Sequence, residues 1–417
     1  MDKGGIDKKT VLSFALYDWA ASPLPTLHNT FIFAVYFTTV IMPDGGTVAW
    51  AWMTALASIA VALIAPFSGA FADRWHCRKP ILFWLTLIAI ICGGALWWVA
   101  PNQAMIPLAL IASGLLIFSL ELSFVFYNAL LPSISTRETI GRVSGFAWGF
   151  GYISAIAALL IALVVFVLPD QPYFGLDQDQ SEHIRITMPF AALWLLVFVI
   201  PFFLYVPEPR ASTAKEGGLA EGWRIVRQTP GMLRFIITRM IYADALVTLF
   251  AFGGIFAATV FGFSQIEVLI FAIILNITAG LGAILGGVLD DRMGAIKTIR
   301  LSLIAMIALG GVILMTASPQ VFWIAASVMG LFIGPLQSAS RSHLSRMAPP
   351  GAEARVFSFM MLTGKSTSFL GPLCYGWVVW MTGQDRYGML VVSVLLIIGL
   401  IMLKDTPAGD QQTEAKG

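Results

Sequence analysis

Long apolar runs alternate with short polar loops along the whole chain. The runs fall at roughly 11–41, 48–72, 80–100, 104–131, 143–168, 188–206, 232–262, 266–289, 298–317, 320–345, 355–381 and 386–404. None keeps the strict apolar and polar alternation of a half-buried strand. Crossing a bilayer core of about 30 Å takes roughly 20 helical residues, which these runs supply. In lipid only helices and closed barrels satisfy their backbone polar groups, so the pattern predicts an all-α membrane protein with twelve transmembrane helices, numbered here as spans 1 to 12.

The loops carry the second pattern, because basic residues collect in alternate ones: Lys3, Lys8 and Lys9; Arg74, Arg78 and Lys79; Arg137 and Arg142; Arg210, Lys215, Arg224, Arg227 and Arg234; Arg292, Lys297 and Arg300; Arg346 and Arg355; Lys404 and Lys416. The intervening loops hold only Arg185 and Arg386. The positive-inside rule then places both termini in the cytoplasm, and an even number of spans agrees. The first apolar run is too long for a signal peptide and ends on no cleavage site, so it is read as an uncleaved span. The loop at 169–187 carries Asp170, Asp177, Asp179 and Glu182 and reads as a solvated lid or turn. Residues 207–231 read as a flexible linker followed by a short amphipathic helix, EGWRIVRQ, on the inner membrane face.

One loop returns later in the chain. GAFADRWHCRK at Gly69 to Lys79 is echoed by GVLDDRMGAIK at Gly287 to Lys297, so that Gly69, Asp73, Arg74 and Lys79 fall on Gly287, Asp291, Arg292 and Lys297 by one offset. The same offset carries Pro132 and Arg137 onto Pro350 and Arg355. The chain therefore divides into two pseudo-symmetric six-helix bundles, 1–206 and 232–417, the second ending in a short cytoplasmic tail, with 207–231 joining them. Within the spans, Gly141, Gly145, Gly149 and Gly151 leave a smooth face on span 5, and Pro23 with Pro25 must kink or open span 1. Broken helices at mid-membrane often mark substrate sites in transporters.

Composition narrows the function classes. Apolar residues make up 58% of the chain and charged ones 12%, with a mean hydropathy of +0.83. Cys77, Cys92 and Cys374 have neither disulfide nor metal-ligand spacing, so no cofactor is implied. Gly364-Lys365-Ser366 imitates the end of a phosphate-binding loop, but Phe359 occupies the required earlier glycine position. With no soluble nucleotide domain, no catalytic Ser-His-Asp order and no His-Glu metal motif, an enzyme, an ATP-driven pump and a nucleic-acid binder are all disfavoured. Energy for uphill transport would come from an ion gradient.

Two halves of six spans, cytoplasmic termini, a central linker and the repeated G-x-x-x-D-R-x-x-x-x-K loop resemble the major facilitator superfamily. Several segments are similar to its autophagy-type vacuolar effluxer branch and that branch's bacterial relatives: Tyr17-Asp18-Trp19-Ala20, Phe126-Tyr127-Asn128-Ala129-Leu130-Leu131-Pro132, Gly141-Arg142-Val143-Ser144-Gly145, Gln337-Ser338-Ala339-Ser340-Arg341-Ser342 and Gly371-Pro372-Leu373. The resemblance implies a monomeric secondary transporter of a small solute in the bacterial cytoplasmic (inner) membrane, with amino acids the substrate best associated with the branch. Ala21 replaces the residue usual after Tyr-Asp-Trp-Ala and the linker is short, so no particular substrate carries over. The rival is a receptor or assembly scaffold that keeps the fold without transport.

Charged groups inside spans cost about 2.5–3.5 kcal/mol each on insertion scales unless paired or hydrated, so each is a functional candidate. Glu121 and Lys365 lie near the middles of spans 4 and 11 and suit a zwitterionic or charged solute, or a coupling proton. Asp18 and Asp244 sit at similar depth in spans 1 and 7, each close after a tyrosine, Tyr17 and Tyr242; a substrate, proton or gating role stands beside structural hydrogen bonding. Arg239 joins them. His28, just after the two prolines, is a candidate proton carrier or a partner for a freed carbonyl. Asn128 and Gln337 are candidate cavity-lining residues. Asp73, Arg74, Lys79, Asp291, Arg292, Lys297, Arg142 and Arg341 are candidates for a cytoplasmic gate, where carboxylates meet helix ends and the cations meet carboxylates or lipid phosphate.

Overall fold

The computed structural model describes residues 8–75, 77–134, 140–208, 219–349, 356, 359–360, 363–364 and 367–403, and among them every regular element is helical. Eleven helices among the described residues are long and apolar enough to cross a membrane. Span 11, the remaining one, falls partly outside the described residues, and its later part is the helix Leu370–Thr382. In chain order the others are span 1 at Lys8–Ile41, span 2 at Gly46–Trp75, span 3 at Arg78–Ala95, span 4 at Ile106–Ile134 and span 5 at Ile140–Ile161. Span 6 comprises Thr187–Phe198 and Ile200–Tyr205. Spans 7 to 10 are Met232–Phe261, Gln265–Met293, Ala295–Met315 and Pro319–Met347, and span 12 is Leu390–Leu403. The linker helix is Leu219–Gln228, with Val226 buried and Arg224 and Arg227 exposed.

Span 1 breaks where its prolines lie. Regular helix ends at Ala21, a wider π-helical turn runs over Thr26–Phe31, and the backbone bends at Ile32 before resuming at Phe33. Pro23 has no N–H, so the Trp19 carbonyl four residues earlier loses its helical donor. Two side chains replace it: Trp194 Nε1 donates to the Trp19 carbonyl at 3.1 Å, and the Ser154 hydroxyl donates to it as well. The opened helix is thereby tied to spans 5 and 6.

The chain forms two compact units, Met1–Lys215 with Phe250–Ile273, and Glu216–Leu249 with Ile274–Gly417. In the first unit the end of span 7 and the start of span 8 rest on the irregular part of span 1. Gln265 Nε2 donates to the Phe31 carbonyl at 2.8 Å. Gly254 lies against the Thr30 carbonyl so closely that a β-carbon would fall on its oxygen. In the second unit spans 8 and 10 make a similar close approach: a β-carbon on Gly286 would stand 2.6 Å from Pro335 Cα.

Arg185 and Arg386 do the same work in different units. Arg185, in the short helix Glu182–Arg185 before span 6, donates to the Trp97 carbonyl at 2.9 Å beyond the end of span 3. Arg386, in the short helix Asp385–Gly388 before span 12, donates to Leu314 and Thr316 carbonyls at 3.0 and 2.6 Å, at the end of span 9. The last carbonyls of a helix have no intrahelical donor, and each guanidinium supplies one. The two arginines do not fall on one another by the offset of the repeated loop; what they share is a place just before the last span of each half.

Candidate functional site

In the first unit the site grows around Asp18, which is 5% exposed. Tyr127 Oη, from span 4, donates to Asp18 Oδ2 at 2.8 Å and lies 3.1 Å from the Phe14 carbonyl. The Tyr127 ring is stacked between Phe14, 4.2 Å away centroid to centroid, and Tyr17, 4.7 Å away. Tyr17 in turn reaches Thr86 of span 3 at 3.1 Å. Gly151 of span 5 faces the same turn: a β-carbon there would lie 2.6 Å from Ser22 Oγ and 3.5 Å from the Asp18 carbonyl.

The second unit repeats the plan. Asp244 of span 7 is 2% exposed, and Thr248, one turn on, donates to its carbonyl at 2.8 Å. Gly371 of span 11 fits against that turn, since a β-carbon would stand 2.9 Å from the Asp244 carbonyl and collide with the Thr248 hydroxyl. Tyr242 Oη lies 2.7 Å from Ser340 Oγ of span 10. Each unit thus places a buried aspartate, a hydroxyl residue one turn later and a facing glycine from the fifth helix of its half. The partners differ: the Asp18 carboxylate accepts from a tyrosine, whereas Thr248 donates to the backbone carbonyl of Asp244.

His28 is fully buried in the π-helical turn, with Nδ1 2.5 Å from Asn29 Oδ1 and Nε2 2.8 Å from Ser113 Oγ of span 4. It stacks on Phe33 at 5.3 Å. A neutral ring protonated on Nδ1 donates to the asparagine and accepts from the serine, which satisfies both nitrogens. Glu121 is half-buried on span 4. Asn128 turns back on its own helix, donating to the Phe124 carbonyl at 2.8 Å. Gln337 and Arg341 are half-buried on span 10, and Arg239 is half-buried on span 7. Lys365 lies outside the described residues, as do the side chains of Asp73, Arg74, Arg142 and Asp291.

Of the remaining loop candidates, Arg292 and Lys297 are exposed. Lys79 belongs to a local brace: Glu208 accepts from the backbone amides of Arg78 at 3.0 Å and Lys79 at 2.9 Å, while Lys79 Nζ donates to the Val206 carbonyl. A carboxylate thus caps the positive amino end of span 3 from the far end of span 6. Two residues escaped the sequence reading here. Glu208 looked like the start of a linker. Asp290, 7% exposed, pairs with Arg346 Nη1 at 3.0 Å, although the constant offset singled out its neighbour Asp291.

This duplicated helical plan is that of the major facilitator superfamily: the crystal structure of a D-xylose-proton symporter superposes with a TM-score of 0.69 at 14% identity, over 97% of this chain and 99% of that one. The family model described as vacuole effluxer Atg22 like matches residues 46–141 and 135–416. The chain belongs to the Atg22-like effluxer family of membrane transporters. An uncharacterized MFS-type transporter of Bacillus subtilis, YxiO, is 21% identical over 407 residues, 95% of this chain and 94% of that protein. Autophagy-related protein 22 of Cryptococcus neoformans is 22% identical over 293 residues, 64% of this chain, and the match spans 50% of the fungal protein.

Proposed function

We propose that the protein is a secondary active transporter that moves a small solute, an amino acid or similar metabolite, by alternating access coupled to an ion gradient. The observation that carries this reading is the paired arrangement of Asp18, Ser22 and Gly151 in one unit and Asp244, Thr248 and Gly371 in the other. Buried carboxylates in corresponding helices cost several kcal/mol apiece in a membrane, on the order of the 2.5–3.5 measured by insertion. Their retention in both halves fits groups that work in transport. Family membership supports the same reading, and a proton is a natural coupling ion for aspartates and a histidine of this kind.

Glu121 and Lys365 are the proposed contacts for solute or proton, and Asp18, Asp244, Arg239, His28, Asn128 and Gln337 are further candidates. The inner-face loops supply the proposed gate, and the proposed setting is a bacterial cytoplasmic membrane with both termini inside. The test is uptake and efflux by purified protein in liposomes, with and without a pH gradient, across a panel of amino acids and small metabolites. Flux that exceeds empty liposomes and responds to the gradient supports the reading. A protein that moves nothing from the panel yet holds a stable protein partner favours a receptor or scaffold.

A further inference from the structure

His28 sits where span 1 has opened, in the π-helical turn Thr26–Phe31, and its side chain is sealed from solvent. Both ring nitrogens are engaged, Nε2 with Ser113 Oγ of span 4 at 2.8 Å and Nδ1 with Asn29 Oδ1 at 2.5 Å. The buried ring therefore fixes the amide of the next residue. With Oδ1 taken, that amide turns its Nδ2 hydrogens away from His28, and among the described residues no group accepts from them. Asn29, unlike His28, is only half-buried.

The opening beside Asn29 is narrow and polar. From Ala20 to Thr38 only Ser22, Pro25, Thr26 and Asn29 are not buried. Large apolar side chains mark a face turned to lipid, as Ile153, Leu160 and Leu168 do on span 5, whereas polar groups within a span face the bundle interior or a wet cavity. Thr26 Oγ1 donates its hydrogen to the Ser22 carbonyl at 2.8 Å, so what it offers outward is its lone pairs. One turn thus presents a fixed donor, Asn29 Nδ2, and an acceptor, Thr26 Oγ1, with no charge on either.

From this relay we infer that Asn29 is a solute contact, and that the group it reads is neutral and both accepts and donates, a hydroxyl or a carboxamide. Ser113 and His28 are positioning residues that act through it. An unconstrained asparagine would lose rotamer freedom on binding, but one already held by a buried ring has lost it in the free protein, so its hydrogen bond counts in full. An analogue that lacks the polar group leaves the amide unpaired and is rejected for that reason. The inference rests on the transporter reading and deepens it, adding a determinant of specificity to the charged candidates.

Purified full-length protein in neutral detergent is titrated with L-threonine and L-glutamine and with their near-isosteres L-valine and L-methionine, and its thermal unfolding midpoint is followed. At least one polar probe is expected to raise the wild-type midpoint with an apparent affinity about tenfold or more better than its apolar counterpart. Asn29→Leu should abolish that preference. His28→Leu should abolish it too and add nothing on top of Asn29→Leu, while His28→Gln, whose amide can still donate to Asn29, should keep part of it. A ring with a merely structural role would lower the ligand-free midpoint and leave the preference unchanged, which would overturn the relay. A second readout needs no ligand. In a variant lacking Cys77, Cys92 and Cys374, Asn29→Cys and Thr26→Cys are expected to react with a charged, water-soluble methanethiosulfonate about tenfold faster than Leu160→Cys, because a charged reagent avoids an apolar phase. Equal rates, a wild type that prefers neither polar probe, or a preference that survives Asn29→Leu would each overturn the site. Neither readout depends on transport, so liposome flux judges the transporter reading separately.

Discussion

At the scale of single residues, Asp18 shows what a membrane asks of a buried carboxylate. The Tyr127 hydroxyl at 2.8 Å is its hydrogen-bond donor, and the ring that carries this hydroxyl is clamped by Phe14 and Tyr17. Removing the hydroxyl in Tyr127→Phe should cost about 1–3 kcal/mol of stability, the range for leaving a buried polar group short of a partner. The same change should cost less where Asp18→Asn has already removed the charge. A double-mutant cycle by denaturant titration in detergent checks this, and equal costs in both backgrounds would show that the bond is unimportant. Asp18 and Asp244 were legible because a charge in an apolar run stands out. Tyr127 was visible only as part of a family-like segment, since nothing in a tyrosine's sequence context says which distant carboxylate it will meet. Asp290 was missed for a different reason: in an Asp-Asp doublet the repeat offset picks the second residue, while helix rotation decides which one turns inward to Arg346.

At the scale of elements, the break in span 1 follows from Pro23 and Pro25, and the sequence located it. What it could not supply were the groups that fill the vacancies, because Ser154, Trp194 and Gln265 are remote in sequence and unremarkable in composition. The Gln265 amide on the Phe31 carbonyl and the bare Gly254 beside Thr30 bind the ends of spans 7 and 8 to the irregular turn. Gln265→Leu removes the donor and should loosen that turn. In a variant lacking Cys77, Cys92 and Cys374, a reporter Thr30→Cys, at a position 8% exposed, is expected to react with maleimide about tenfold faster once Gln265 is replaced, equivalent to a loss of roughly 1.4 kcal/mol of protection. An unchanged labelling rate would mean that Gly254 packing alone holds the turn closed.

The whole molecule is built twice, and the repetition lets scaffold be separated from chemistry. Arg185 and Arg386 were conspicuous in the sequence as the sole outer-loop cations, but their shared task, closing the carbonyl ends of spans 3 and 9, depends on how each half folds. Each belongs to a different compact unit. Replacing either by glutamine should therefore destabilise by about 1–3 kcal/mol. The double variant should show the sum to within roughly 0.5 kcal/mol, as independent sites do. Glu121→Gln makes the opposite demand. With a working rather than a structural role for Glu121, its neutral isostere should unfold within about 0.5 kcal/mol of wild type, the range of an ordinary substitution. If it contacts solute or proton, liposome flux per folded molecule should nevertheless fall about tenfold or more. The contrast is diagnostic. Arginine variants that transport at full rate per folded molecule, beside a stable Glu121→Gln that does not, would place function in the span charges and architecture in the loop arginines. The reverse result would mean that Glu121 is a scaffold residue and that the working groups must be sought around Asp18, Asp244 and Arg239.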